Sequence, residues 1–300
     1  MKIAVFGTPQ LSANIFEQLR TQDGIEIVVA ITAPDAPAGR GKKMHSPPVK
    51  VWADEHSVPV FQPEKLDDKR AQFLHEQGVE LGIVISYGFL FSKDFLDRSP
   101  PLWNLHFSLL PKFRGASPVQ SAILAGENTS GITVFRITPG LDDGPILEEK
   151  TVDIAERHAD EVFTKLEQEG AVLLKSLFQR LAKGETLEEK EQNHEEASFC
   201  KKIRKENAEL FPETETAEQA LRKIRAFSVW PIAWMEREGK RLKIVHAELS
   251  HEHIAPGIFH ASKNECHIGF QSGTIRLLTV RPEGKREMTG VEFARGFLKE

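Results

Sequence analysis

Residues 2–6 read KIAVF, a continuous apolar run, and Gly7-Thr8-Pro9 turns it directly into a segment with Leu11, Ile15 and Leu19 on one helical stripe. A strand without polar alternation is one buried on both faces, and such strands belong to parallel sheets covered by helices on either side. The same grammar returns downstream. EIVVAIT at 26–32, a short strand at 58–61 and GIVIS within 82–86 alternate with helical patterns at 49–56 and 66–77. The fold class this dictates is α/β: a Rossmann-like open sheet with helices on both faces. The dinucleotide fingerprint G-x-G-x-x-G is missing after Gly7, so a nicotinamide cofactor does not follow from the fold signal.

Farther along, 118–125 reads as a helix and 131–137 and 145–153 as strands. Residues 158–182 give an amphipathic helix through Val162, Leu166, Leu173, Leu177 and Leu181, with Gly170 as a point of kinking and Gly184 as its C-cap. Residues 185–196, ETLEEKEQNHEE, are acidic and nearly devoid of apolar side chains, which marks a linker. The expected division is a first domain over 1–184, a linker over 185–206 and a second domain over 207–300. The second begins with a helix at 215–227. Short strands follow near 232–236, 241–249, 257–261, 265–270 and 274–280, punctuated by glycine turns. Such a unit suits an OB-like β-barrel among other small barrels. Thr289 and Glu292 form a capping box for a closing helix.

The formal charge is −5, which argues against wholesale coating by nucleic acid, yet residues 201–300 carry more Lys and Arg than Asp and Glu. A mildly basic second part suits contact with a polyanion. The cysteines, Cys200 and Cys266, are far apart and outside any C-x-x-C pattern, so neither a disulfide framework nor a metal site is expected. No apolar run approaches a membrane span. MKIAVFGTPQ reaches Gly7 and Pro9 too soon for a signal peptide's apolar core, and the expected location is the cytoplasm.

Two segments carry candidate chemistry. Residues 33–48, APDAPAGRGKKMHSPP, form a long loop dense in proline and glycine, read as lacking regular structure, with Arg40, Lys42 and Lys43 in its middle. A basic segment of this kind can wrap a phosphate backbone. The second segment, NLHFSLLPKFRG at 104–115, opens as a strand whose alternation puts Asn104, His106 and Ser108 on one face. It turns at Pro111 into a loop with Lys112 and Arg114. Gly140-Leu141-Asp142-Asp143-Gly144 then sets a carboxylate on a glycine-flanked turn. An amide donor, an imidazole and a carboxylate brought together suit attack by an amine on a carbonyl. Taken singly, such a histidine is more often a structural one, and an aspartate between glycines is usually just a turn residue.

The order and spacing of NLHFSLLPKFRGASPVQ and GITVFRITPGLDDGPIL resemble the N-H-SLLP…R-G…LD-G signature of the folate-dependent formyltransferases. The similarity runs over nearly the whole chain and is greatest to the members that formylate methionyl initiator tRNA. That resemblance implies 10-formyltetrahydrofolate as formyl donor and methionyl initiator tRNA as acceptor; a monomer without a metal is expected. It implies Asn104 as oxyanion donor, His106 as proton carrier and Asp142 as the group that fixes the histidine tautomer and its charge. It places the folate against Ser108, Leu109, Leu110 and Pro111 and beside Tyr87 and Gly88, and assigns the tRNA acceptor end to Arg40, with Lys42 and Lys43 in support. A formyltransferase acting on an amino sugar or other small amine, or a noncatalytic RNA- or folate-binding relative, shares parts of this pattern. Departures from it fall at Phe107, where a small residue is usual, at Asp143 beside Asp142, at Leu210-Phe211 and at Val229.

Overall fold

The computed structural model describes residues 1–38, 41 and 43–298, which divide into two compact units. Residues 1–118, 129–153 and 163–201 make the first; 119–128, 154–162 and 202–300 make the second.

In the first unit the strands run β1 (Lys2–Gly7), β2 (Glu26–Ile31), β3 (Ala36–Ala38), β4 (Lys43–His45), β5 (Val60–Phe61), β6 (Leu81–Ile85), β7 (Leu102–His106), β8 (Arg114–Gly115), β9 (Thr129–Arg136), β10 (Ile146–Asp153) and β11 (Phe199–Cys200). The main sheet has the order β10-β9-β7-β6-β1-β2-β5. From β5 to β7 its pairs are parallel, and β9 and β10 extend it antiparallel. The chain winds outward from β1 through β2 to β5, then returns to β6 on the other side of β1. The strand order therefore reverses between β1 and β6, and in open sheets of this kind ligands bind beyond the carboxyl ends of the strands at that reversal.

Helices α1 (Gln10–Arg20), α2 (Pro48–Glu55) and α6 (Ala159–Ala182) cover one face, and α3 (Asp68–Glu76) and α4 (Lys93–Arg98) the other. On the second face Ala4, Phe6, Val84 and Leu102 pack with Ala71, Leu74 and Phe95. Helix α1 buries Ser12, Ala13, Ile15, Phe16 and Leu19, leaving Leu11 half-buried, so the apolar stripe lies one position round from that expected. Gly7 allows this contact. A Cβ there would lie 2.6 Å from Ser12 Cβ and 2.9 Å from the Ile85 carbonyl.

Helix α6 runs unbroken past Gly170. A Cβ at this position would come 2.6 Å from Leu105 Cδ2 on β7, so the glycine provides clearance for a close helix–sheet approach. Gly184 ends the helix at φ 78°, with the amide of Glu185 bonded back to the Arg180 carbonyl, as a C-capping glycine should.

The loop over 33–48 contains regular structure. Strands β3 and β4 pair as an antiparallel ribbon, Pro37 opposite Met44, with Gly41 at φ 105° in the turn. Proline lacks only one hydrogen bond in a two-stranded ribbon whose outer edges are unpaired, so its presence does not forbid the pairing. Asp35 ties down the base of the ribbon, accepting from Lys50 Nζ at 2.8 Å, Gln62 Nε2 at 2.9 Å and Ser46 Oγ at 3.2 Å.

The second unit contains α5 (Pro118–Ala125) over most of its length. Its later part is a curled antiparallel sheet of β12 (Trp234–Arg237), β13 (Lys240–Ser250), β14 (Phe259–Ala261), β15 (Cys266–Gly269) and β16 (Thr274–Pro282), in the order β12-β13-β16-β15-β14, with β17 (Met288–Thr289) added on β16. Register shifts around His246 in β13 bend the long strand, as bulges do. Helices α7 (Ala217–Ala226) and α8 (Gly290–Phe297) close its core, in which Leu210, Ile224, Leu242, Ile244, Phe270, Leu277 and Phe293 are buried. Thr289 and Glu292 make the capping box of α8. Leu210 is a core residue here, whereas Phe211 lies exposed beneath the Lys223 ammonium. Val229 is exposed. No helix among the described residues is long and apolar enough to cross a membrane.

Candidate active site

Strand β7 lies between β6 and β9, next to the reversal, and delivers Asn104 and His106 at its carboxyl end. Its pairing with β9 continues without a shift to His106 opposite Thr133. Phe107 follows, buried, and its bulk leaves that register intact. The Asn104 side chain is partly exposed and makes no hydrogen bond among the described residues, which leaves its amide available.

His106 is 6% exposed and bonds through Nε2 to the Phe113 carbonyl at 2.9 Å. A carbonyl can only accept, so Nε2 carries a proton and the neutral ring keeps its lone pair on Nδ1. Nδ1 faces Asp142 Oδ2 at 3.8 Å, beyond hydrogen-bond reach but close enough for strong charge coupling. The tautomer is thus set by the backbone of the 111–115 loop, where the sequence pattern assigned it to Asp142. Folding brings a carbonyl seven residues away onto the ring, which side-chain alternation could not disclose.

Asp142 sits at φ 48°, and its Oδ2 accepts the Gly115 amide at 2.7 Å. Asp143 points elsewhere. Thr138 Oγ1 donates to its carboxylate, which packs on Gly140 so closely that no Cβ would fit there. The two adjacent carboxylates therefore diverge, and the one beside the imidazole is Asp142.

Beyond β7 the chain is held from within. Ser108 is fully buried, and its Oγ donates to the Lys112 carbonyl at 2.6 Å. Thr133 Oγ1 donates to the Ser108 carbonyl at 2.7 Å and accepts from the Leu110 amide at 3.1 Å. Leu110 packs with Phe135 and Ile146, and Leu109 lies over Gly131. The side chains of Ser108 and Leu110 are occupied in shaping the turn into Pro111.

Tyr87 follows β6 and is 4% exposed, its ring against Phe6, Phe89 and Phe91. Its hydroxyl is buried with no hydrogen-bond partner among the described residues, and burial pushes the phenol pKa up. Gly88, at φ 82°, has nothing within 4 Å of the place a Cβ would take. A buried phenol without a partner is uncommon, because buried polar groups are nearly always hydrogen-bonded. Of the basic loop, Lys43 is exposed on β4, while Arg40 and Lys42 lie outside the described residues.

Several residues of the site were hidden in the presumed linker. The segment over 185–201 belongs to the first unit. Glu189 pairs with Arg136, Lys190 bridges to Ile146, and β11 pairs with β8. Ser198 accepts the Arg114 amide through its carbonyl and the Phe113 amide through Oγ, both at 2.8 Å. Cys200 Sγ donates to the same Phe113 carbonyl that binds His106. Polarity had suggested a tether, because a strap that bonds chiefly through backbone and short polar groups needs few apolar residues.

Residues 1–177 match the formyl transferase family model and residues 202–298 the formyl transferase C-terminal domain model. A methionyl-tRNA formyltransferase of Streptomyces griseus is 36% identical over 99% of this chain and 96% of its own length. One from Thermodesulfovibrio yellowstonii is 35% identical over 98% and 95%. This chain belongs to the methionyl-tRNA formyltransferase family. The fold is shared with an N-formyltransferase of Helicobacter canadensis solved with folinic acid and dTDP-3-aminofucose. That structure aligns at TM-score 0.67 and 19% identity over 96% of this chain and 100% of that one. Within the first unit, His106 and Asp142 face each other at 3.8 Å, and Asn104 lies two residues before His106 on β7.

Proposed function

We propose that this enzyme transfers the formyl group of 10-formyltetrahydrofolate to the α-amino group of methionine esterified to initiator tRNA. The observation that carries the chemistry is the free Asn104 amide beside an imidazole whose lone pair sits on Nδ1, 3.8 Å from a carboxylate. The folate supplies an activated formyl carbon. Asn104 donates to the formyl oxygen as negative charge gathers there, a contribution whose loss typically costs roughly 10²–10³ in rate. His106 Nδ1 takes the proton released by the attacking amine, and the Asp142 carboxylate stabilises the resulting imidazolium. Once charged, the ring can pass that proton toward the departing N10. Tyr87, Gly88 and the backbone of 108–111 would hold the folate, with the Tyr87 hydroxyl gaining the partner it lacks.

For the macromolecular substrate, the ribbon of β3 and β4 carries Lys43, and Arg40 and Lys42 belong to the same segment. The second unit adds a cluster of cations. Burial, together with the neighbouring Arg281, Arg241 and Lys205, pushes the Lys243 ammonium below its usual pKa, which marks a locally positive surface. Arg241 also stacks on Trp234 at 4.3 Å. These features suit a phosphate backbone.

The test is formyl transfer from 10-formyltetrahydrofolate to methionyl initiator tRNA, with Arg40→Ala run beside the parent. Transfer by the parent, with the variant losing efficiency mainly through KM for tRNA, is the expected result. Transfer to a small amine or amino sugar but not to tRNA would overturn the acceptor assignment. Binding without transfer to either would overturn the enzymatic reading.

A further inference from the structure

Asp142 occupies a left-handed backbone conformation, one that aspartate adopts more readily than most non-glycine residues. Its turn is held from fifty residues away. Gln192 is 5% exposed in an otherwise exposed stretch, and its Nε2 donates to the carbonyls of Asp142 at 2.9 Å and Gly144 at 2.7 Å. Its Oε1 accepts from Arg114, Nη2 at 2.6 Å and Nε at 3.1 Å. Arg114 is itself buried, and its Nη2 stands 3.3 Å from His194 Nδ1. The next residue, Gly115, grips the Asp142 carboxylate through its amide. One side of the Asp142 turn is therefore fixed through Gln192 and the other through Gly115, both tied to β8.

The side chain required here must accept from a guanidinium at one end and donate to two carbonyls at the other. A primary amide of this length does both; a carboxylate lacks the donors and a lysine the acceptor. We infer that Gln192, oriented by Arg114, is a positioning residue that holds the Asp142 carboxylate beside His106. This rests on the reading that Asp142 acts on His106 in formyl transfer.

The experiment is steady-state formyl transfer by the full chain, with Gln192→Met and Gln192→Glu each made alone and in an Asp142→Asn background. Met keeps the length without polar atoms. Glu keeps the Arg114 partner and loses the donors to the Asp142 and Gly144 carbonyls, so it tests the same point if the Met variant folds poorly. Both should lower kcat about ten- to a hundredfold, as displacement of a catalytic group does. KM for folate and for tRNA should stay within about threefold, and in the Asp142→Asn background either substitution should cost less than about threefold. Unchanged kcat in the single variants, or an equal loss in both backgrounds, overturns the positioning role. Full turnover by Asp142→Asn alone would instead sink the catalytic reading of Asp142, and the two failures are thereby told apart.

Discussion

The substitution Asp142→Asn isolates a single charge. The atom that accepts from the Gly115 amide is the same Oδ2 that faces His106 Nδ1. An asparagine keeps that amide bond by placing its oxygen there, so the geometry survives and the negative charge disappears. Two unit charges 3.8 Å apart attract by about 4 kcal/mol at an effective dielectric constant of about 20. That is a ceiling of roughly three decades in rate if the imidazolium is fully formed in the transition state. The Asp142 side chain is 15% exposed, and solvent takes part of the coupling. The expected loss in kcat is therefore about 10²–10³, with KM for both substrates little changed, because neither substrate contacts the carboxylate in this scheme. Single-turnover transfer of labelled formyl, measured at saturating folate and tRNA, reads the chemical step directly. Thermal unfolding of the variant beside the parent confirms that the fold is intact. A loss smaller than about fivefold would refute the reasoning, since it would mean that no positive charge develops on His106 as the amine attacks.

Gly115→Ala should be severe. Its φ of 115° disfavours any side chain, and a Cβ would meet the Cys200 carbonyl oxygen at 2.3 Å, so a stability loss of about 3 kcal/mol is expected, with activity falling as the β8–β11 pair opens. An unfolding midpoint equal to the parent's would contradict it. Tyr87→Phe deletes a buried hydroxyl that has no partner within the described protein, so stability should hold or rise by about 1 kcal/mol while KM for folate increases. An unaltered folate KM would remove Tyr87 from the pocket.

Glu17 accepts from Arg20 and Trp52 and lies 3.0 Å from His56, and chiefly the Arg20 bond holds its pKa at about 2, below the ordinary 4.5. A lowered carboxylate value stabilises the fold fully above about pH 4.5 and is lost as pH falls toward 2. Because the group is largely solvated, the effect should be small. Glu17→Gln should flatten that limb of the acid-unfolding curve, followed by far-ultraviolet circular dichroism, and an identical acid limb would argue against the linkage.

The sheet, its helices and most element boundaries were legible because continuous apolar runs and helical stripes are local patterns, and because Gly184, Thr289 and Glu292 act within one turn of the ends they cap. Asn104 and His106 were legible as same-face residues for the same reason, alternation being a property of the strand alone. Among the readings that the structure corrects, those of Gly170, the 33–48 loop and the stretch around Gln192 each failed for want of a long-range contact. Gly170 looked like a kink because its neighbour Leu105 lies on another element. The 33–48 loop looked irregular because Asp35, Lys50 and Gln62, which anchor its ribbon, meet only after folding. The stretch around Gln192 looked like a tether because one buried amide among exposed charges leaves no mark on composition.

What the sequence by itself determined is the inventory: an α/β sheet, a second β-rich unit, an amide and an imidazole on one strand face, and a carboxylate on a later glycine-flanked turn. What tertiary structure decided is how they are wired. The Phe113 carbonyl chooses the proton's place on His106, Gly115 and Gln192 choose the place of Asp142, and Thr138 turns Asp143 aside. Backbone carbonyls and amides are the same in every residue, so sequence cannot say which of them will meet a given side chain. Only the path of the chain does.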